Sequence, residues 1–485
     1  FGNEEEGRSG FVMTTLRDSV QQAMPSLMRV FAGSEQVVEF VPRGPEDVEW
    51  AKLATDYVNF VLMNDNDGYR ILWSAFKDAL HKKVGIVKAI WDDSLEVSTH
   101  YFTNLAIPAL LELENEEGVE VFVTDESPDG FFVDVEVRRR VPRNRIRVEV
   151  LPPEEFLISR DARGIDEAQF VAHRCLKTVS ELVAMGYEKE LVEGYVTQAN
   201  SLNWARERHE RNRWELTDSV STERDRVLYV ESYVYCDYDG DGIAELRRVC
   251  TLGDHYEVVA NDPWSFRPFA DFHIDPEPHT FFGHDLSDRT KDLQLLNSEV
   301  FRAMLDSLAQ SVHPRMGIDD SRANVEDALN NETGAIIRTQ GPPQQALYPL
   351  AQPFNGKEAL PVLDLINLVR EQRTGLSRHA AGLDADALQS MTGSAVAAIE
   401  QGSRQTLEVM ARNLAETGMK RLMRILLKLV VENQDPGRMV KLSGNWVEID
   451  PGVWDAGMDV SVNVALGNGL QDQKLRVLGD VLGIQ

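Results

Sequence analysis

Only three cysteines occur in 485 residues, Cys175, Cys236 and Cys250, and no two stand in a CxxC pair. So sparse and odd a set excludes a disulfide framework and a thiolate zinc site. It reads as buried free thiols in a reducing compartment, with Cys236 and Cys250 on adjacent strands. No apolar run reaches the roughly 18 residues a membrane-spanning helix needs, and no signal-peptide pattern is visible. There is no P-loop, no GxGxxG and no Ser/His/Asp nucleophile elbow. Gly334-Ala-Ile-Ile-Arg338 and Gly341-Pro-Pro343 lack phosphate-cradle spacing. Basic residues are scarce, 50 against 79 acidic ones, for a formal net charge of −29. Proteins that grip DNA through its phosphates are basic. An acidic chain either ignores nucleic acid or lets it slide past without sticking. None of these absences leaves room for an obvious enzyme.

What is present fits a large packed protein. At 485 residues and 43% hydrophobic content, two to four domains or lobes are expected. Phe1 in place of Met, and the helix-like start Lys474–Gln485, suggest a chain cut at both ends. Leu16, Val20, Ala23, Leu27 and Val30 recur at helical spacing over 11–31. Pro45 opens a second helix with Trp50, Leu53, Tyr57 and Val61 on one face. Leu72, Ala75, Phe76, Ala79 and Leu80 mark a third. Val84–Trp91 reads as a buried strand, and 119–124, 131–137 and 145–150 as alternating, half-buried strands. Residues 178–198 return to helix. The stretch 199–226 mixes Arg208, Arg211, Trp204 and Trp214 with Glu207, Glu210 and Glu215, a solvated or subunit-facing arm rather than a nucleic-acid surface. Val227–Cys250 reads as a hairpin, with Tyr229, Glu231, Tyr233 and Tyr235 on one face. The region 1–280 is therefore α+β with antiparallel pairing.

The later part is organised differently. An amphipathic helix over 283–312, roughly 40 Å long, carries Leu293, Leu296, Val300, Met304, Leu308 and Val312 as a stripe. A Pro/Gly/Asn-rich excursion follows, then a second helix over 358–376. Val362, Leu365, Ile366 and Val369 mark one face of this helix; Leu360, Leu363 and Leu368 mark others. A helix apolar on several faces is covered on several sides, as in a ring of identical subunits. After the loop 378–393 a helix of about 55–60 Å is expected over 394–432, with Gly402 and Gly418 as places for a kink or close approach. Strands at 439–442, 446–449 and 460–466 return the chain to its N-terminal body.

Two motifs bear on metals. Asp237-x-Asp239-x-Asp241-Gly242-x-x-Glu245 resembles the first half of a calcium loop, and its oxygens could wrap calcium or magnesium. Its twelfth position is Arg248 rather than glutamate, its flanks are strands, and Asp-Gly is a hairpin-turn signal in its own right. Metal loop and plain turn both stay open. His279 and His284, five apart with no third ligand, read as structural.

The order of helix, protruding module, helix, loop and long helix resembles the portal proteins of tailed double-stranded-DNA bacteriophages, of the larger, short-tailed-phage kind. Gly375-Leu-Ser-Arg-His-Ala-Ala-Gly-Leu and Met391-Thr-Gly-Ser-Ala-Val396, feeding a helix with Glu400-Gln401, look like the tunnel-loop region of such portals. The acidic hairpin Asp237–Glu245 and the turn Val464–Leu470 are similar to features of the same group. The resemblance implies a portal fold: an α+β wing, a two-helix stem, a small clip and a long wing-spanning helix. The wing would comprise 1–282 with the return segment 394–469. The stem would be 283–312 and 358–377, the clip 313–357, and the tunnel loop 378–393; 470–485 would begin a crown or barrel helix. It further implies a homo-oligomeric ring, usually of twelve, at a capsid vertex of the virion and assembled in the host cytoplasm. Double-stranded DNA would pass through without sequence-specific reading. Terminase, major capsid and scaffolding proteins, and head-completion or tail-adaptor proteins would be partners, with no membrane and no cofactor. Tunnel-loop residues facing DNA would be Arg378, His379, Gln389, Ser390 and Thr392. The same loop read without the resemblance is an ordinary inter-helix connection. Clip residues facing partners would be Arg315, Arg322, Asn330, Asn331, Arg338 and Gln340. Stem residues between subunits would be Leu293, Val300, Met304, Ile366 and Val369. Two rivals stand beside this reading: a cytoplasmic metal-dependent enzyme with an acidic site, and another capsid connector protein.

Overall fold

The computed structural model describes residues 7–32, 38–42, 44, 48–116, 118–126, 132–195, 226–312, 314–330, 334–350, 353–354, 356–376, 405–442 and 445–462. The chain is α+β and divides into two compact units. One comprises Phe1–Pro25 with Leu286–Leu407, the other Ser26–Asp285 with Glu408–Gln485. A wing beginning at residue 1 was the expectation. By contacts, the segment up to Pro25 groups with Leu286–Leu407. The division falls inside α1 (Thr15–Ala32), at its internal proline.

The larger unit is built on small antiparallel sheets. α2 (Val48–Phe60) passes through a π turn at Val61–Asp65 and leads to α3 (Gly68–Lys82). Leu72, Ala75, Phe76, Ala79 and Leu80 of α3 are buried, as their spacing predicts. β2 (Gly85–Asp92) lies between β12 (Phe269–Phe272) and β6 (Arg145–Leu151). β7 (Phe156–Ile158), β8 (Phe170–Thr178), β9 (Arg226–Cys236), β10 (Glu245–Leu252) and β11 (Glu257–Pro263) form a five-stranded sheet in the order β11-β10-β9-β8-β7. β9 is buried on both faces. Leu228 and Val230 pack with Ala172, while Tyr229 and Tyr233 belong to cores on the other side. Tyr235, expected on that second face, is exposed.

Two differences from the sequence expectations have local causes. The helix anticipated over 178–198 is two short ones, α5 (Val179–Ala184) and α6 (Lys189–Glu193). Thr178 caps α5 in a reciprocal box with Glu181, and the positive-φ Gly186 ends that turn. Between β2 and β6 the chain makes an excursion whose second and third strands match those expected at 119–124 and 131–137, and whose first strand and short helix were not expected. β3 (Leu95–Ala106), α4 (Ile107–Glu114), β4 (Val119–Glu126) and β5 (Phe132–Pro142) form a three-stranded sheet with its own small core of Val133, Val135 and Val137. The long late helix continues through a π turn at Gly418, one of the two glycines expected to permit a kink or close approach. Helical residues 405–414 run into a π turn, Ala415–Met419, and then α11 (Lys420–Asn433); Gly402 and the rest of 394–404 lie outside the described residues.

The π turn sits where Gly418 meets Phe272. A Cβ on Gly418 would lie 2.2 Å from Phe272 Cγ, inside contact distance. Phe272 is itself locked edge-on to Phe76, which meets Phe31. Gly418→Ala is therefore expected to destabilise this unit by about 1–3 kcal/mol through overpacking, read as a lower thermal midpoint. An unchanged midpoint would show that the ring gives way freely.

The tail returns to the body. β15 (Arg438–Leu442) pairs β16 (Asn445–Ile449), and β17 (Asp459–Val462) pairs antiparallel with β1 (Val38–Val41). All three cysteines are free. Burial pushes the Cys175 thiol up to about 12, so it is inert at neutral pH.

Candidate functional site

The smaller unit is organised by two packed helices, α7 (Leu286–Val312) and α10 (Leu360–Thr374). At 27 residues α7 is about 40 Å long. Arg373 of α10 clasps Asp292 of α7, with Nη1 at 2.8 and 2.6 Å from its two carboxylate oxygens. The exposed pair adds orientation more than stability. α10 ends at Gly375, left-handed at φ 68°, whose N–H donates to Glu371 O.

The buried stripe of α7 departs from the apolar one expected. It is Leu286, Thr290, Leu293, Asn297 and Ser298. Val300 and Met304 are half-buried, while Leu296, Leu308 and Val312 are exposed. The cause is the N-terminal segment, which lies along α7 and takes its polar partners from it. Leu16 N–H donates to Gln294 Oε1 and Met13 N–H to Ser298 Oγ. Ser9 N–H donates to Asp306 Oδ1, and Arg302 Nε donates to Phe11 O at 2.8 Å. Gln294, Ser298, Arg302 and Asp306 recur every four residues, one face of a helix. That ladder is the signal in the sequence. A polar i+4 face ordinarily faces water, so this pattern alone does not predict a bound segment. Gln294→Ala with Ser298→Ala is expected to remove about 1 kcal/mol per bond and to speed protease cleavage near residues 9–16. Unchanged cleavage would mean the segment is held otherwise.

Between α7 and α10 lies a small module. β13 (Arg315–Ile318) pairs antiparallel with β14 (Leu347–Leu350), enclosing α8 (Val325–Leu329) and α9 (Pro343–Ala346). Of the residues assigned to partner contact, Arg315 and Gln340 are exposed. Arg338 is engaged within the module, its Nε and Nη2 at 2.6 and 2.9 Å from the Asp327 carboxylate, which it holds below the usual carboxylate range. Arg322 reaches Gln345 at 3.3 Å and Asp319 at 3.6 Å. Asn330 is exposed; Asn331 lies outside the described residues.

Of the stem candidates, Leu293 and Ile366 are buried within the chain itself, at 5% and 4% exposure, and Val369 is half-buried. The large apolar residues left in water on α10 are Leu360, Val362, Leu365 and Leu368. The tunnel-loop candidates Arg378, His379, Gln389, Ser390 and Thr392 all lie outside the described residues. The exposed turn Asp237–Asp241 brings carboxylate oxygens of Asp237, Asp239 and Asp241 within 4.8 Å of one another, without Glu245. Those oxygens accept backbone N–H groups of the same turn: Gly240 and Gly242 donate to Asp237, Asp241 to Asp239, and Ile243 to Asp241. Glu245 instead opens β10 beside Arg247.

An α+β body, with a separate unit of two packed helices bracketing a strand module, is the make-up of an assembly-building structural protein. A family model described as Phage SU10 portal protein matches residues 1–485, and the chain belongs to that family of phage portal proteins. Its function is that of a portal, at a vertex of the phage capsid, in an oligomeric ring that works with DNA, capsid and terminase. The family is structural, and nothing supports the metal-dependent enzyme weighed as a rival. A comparison with curated proteins finds no match. Among the described residues, no helix is long and apolar enough to cross a membrane.

Proposed function

We propose that α7 and α10 form the stem of a ring of about twelve subunits. The channel conducts double-stranded DNA during packaging and ejection without reading its sequence. The observation that carries this reading is the apolar surface the single chain leaves in water on both helices: Leu296, Leu308 and Val312 on α7, and Leu360, Val362, Leu365 and Leu368 on α10. Such surface is covered by neighbouring copies when a ring closes. The acidic charge supports the conduit. Twelve copies at −29 each give roughly −350, a field that opposes adhesion of a polyanion.

Residues 313–357 then serve as the clip, which docks the terminase and later the head-completion or tail-adaptor proteins; capsid and scaffolding proteins meet the ring elsewhere, during assembly in the host cytoplasm. The loop 378–393 touches passing phosphates weakly through Arg378, His379 and its hydroxyl and amide side chains. Two experiments test these assignments. Native mass measurement of the purified chain is expected to give a ring near twelve copies; a stable monomer would contradict it. Replacing 315–350 with a short linker is expected to leave a soluble protein with unchanged wing circular dichroism but no terminase capture. Retained capture would move the docking site off the clip.

A further inference from the structure

The larger unit contains a cavity of about 660 Å³ that the portal function does not use. Its lining comes from the end of β2 and the start of β3, from β8, β9 and β10, and from α5 and α11. Its size lies within the range of small-molecule sites. Two features of its lining separate it from a packing defect.

The first is a set of buried N–H donors without acceptors. Trp264 Nε1 and Arg248 Nε both line the cavity, are buried and have no hydrogen-bond partner. Arg143 Nε is likewise without an aligned acceptor, although Glu96 Oε2 lies 3.3 Å away. Native proteins seldom leave such groups unsatisfied, since each costs about 1–3 kcal/mol. Lys177 adds a third cationic group, its Nζ 5.7 Å from the Tyr229 ring centroid. Asp92 of the lining accepts from Ser94 through Oδ1 and has its Oδ2 3.6 Å from Arg143 Nη1, while Asp262 pairs with Arg248 Nη2 at 2.9 Å. Three other lining carboxylates are engaged elsewhere. Glu231 holds Lys88 and accepts from Tyr233, Glu181 caps α5, and Glu432 meets Lys428 at the rim. Trp264 Nε1 and Arg248 Nε are the donors left for an acceptor that comes from outside.

The second feature is aromatic. Tyr187 and Tyr229 meet edge to face with centroids 6.2 Å apart. Tyr233 meets Trp264 at 6.1 Å, and Trp264 meets Phe266 at 6.4 Å. The Arg248 guanidinium lies 4.5 Å from the Trp264 ring centroid. β9 and β10 register Tyr233 directly opposite Arg248, so ring and cation share one face by construction. Flat apolar surface beside unsatisfied N–H donors selects a flat ligand with anionic oxygens.

We infer that this cavity is a binding site for a planar aromatic anion, a ring carrying a carboxylate or a phosphate. Arg248 and Trp264 donate to the anionic group, and the tyrosine pair receives the ring. Free aromatic acids and mononucleotides share that chemistry.

The test uses the full chain and 8-anilinonaphthalene-1-sulfonate, a planar anion whose fluorescence reports binding. Saturable binding is expected, weakened at least tenfold by Trp264→Phe, which keeps a ring but loses the N–H, and by Arg248→Met. Should Arg248→Met fail to fold, the milder Trp264→Phe decides alone. Indole-3-acetate and adenosine monophosphate then compete for the probe. Displacement by the first assigns an aromatic acid, and displacement by the second a nucleotide. Displacement by neither, or probe binding undiminished in Trp264→Phe, overturns the assignment.

Discussion

Leu365→Asp combined with Leu368→Asp is expected to abolish the ring while leaving the subunit folded. Both leucines are in water in the single chain, at 59% and 52% exposure. Substituting them there changes the stability of the lone subunit by no more than about 0.5 kcal/mol. In a closed ring the same positions would be covered by a neighbour. Each leucine then contributes on the order of 1 kcal/mol, and each aspartate instead carries a desolvation cost of several kcal/mol. The penalty repeats at every interface, so the equilibrium moves wholly to small species. Sedimentation velocity should show monomer, with unchanged far-ultraviolet circular dichroism. A full ring in the double variant would remove α10 from the interface. Ile366→Asp makes the contrast. Ile366 is buried in its own subunit, so that variant should misfold rather than disassemble.

Lys88→Met is expected to cost the larger unit about 3–5 kcal/mol, because it leaves a buried carboxylate without its cation. Lys88 Nζ sits 2.7 Å from Glu231 Oε2 and 3.4 Å from His173 Nδ1, between the two facing sheets, and Tyr233 OH donates to the other oxygen of Glu231. Burial alone would raise the Glu231 carboxyl, but Lys88 and the Tyr233 hydroxyl hold it down to about 2. The folded state thus takes up this proton less readily than the unfolded chain. Stability from Glu231 is fully present above the ordinary value near 4.5 and is lost as pH falls toward 2, about 3 kcal/mol in all. His173 acts at higher pH. Burial first, and Lys88 second, lower its pKa, so the unfolded chain protonates before the folded one. Stability should therefore begin to fall as pH drops below about 6.5. Calorimetry of Lys88→Met should show a midpoint lower by on the order of 5–10 °C at pH 7. It should also show a shallower acid slope near pH 6. An unchanged midpoint would mean that the buried pair contributes nothing net. Glu231→Gln added to Lys88→Met is expected to recover part of the loss by removing the stranded charge.

Helical periodicity carried over directly into α3, which buries a contiguous apolar face; α7 and α10 were legible as helices, but their buried positions include Thr290, Asn297, Ser298, Arg370 and Thr374 beside Leu293 and Ile366. Of the β3-β5-β4 excursion, β4 and β5 were legible by their alternation, but β3 and α4 were not, for the opposite reason. Its strands are largely exposed, and its core is only Val133, Val135 and Val137 with a few half-buried neighbours. The N-terminal segment along α7 was missed because its partners, Gln294, Ser298, Arg302 and Asp306, have the composition of a solvated face. The Lys88 network was invisible for a related reason. A lone lysine in Val84–Trp91 finds its partners 85 and 143 residues away, on other strands, and no local pattern encodes such a distance. The cavity shares this property, since Asp92, Lys177, Arg248 and Trp264 come from four separate stretches of chain. What sequence order did carry was the sequence of parts, two helices bracketing a small strand module, and that order pointed to the portal family.

Electron cryomicroscopy of the assembled protein tests the central claim most directly. The expected map is a closed ring with α7 and α10 of every subunit around the central channel, and with Leu365 and Leu368 covered by the adjacent copy. A ring whose channel is walled by other elements, with α7 and α10 on its outer rim, would contradict it.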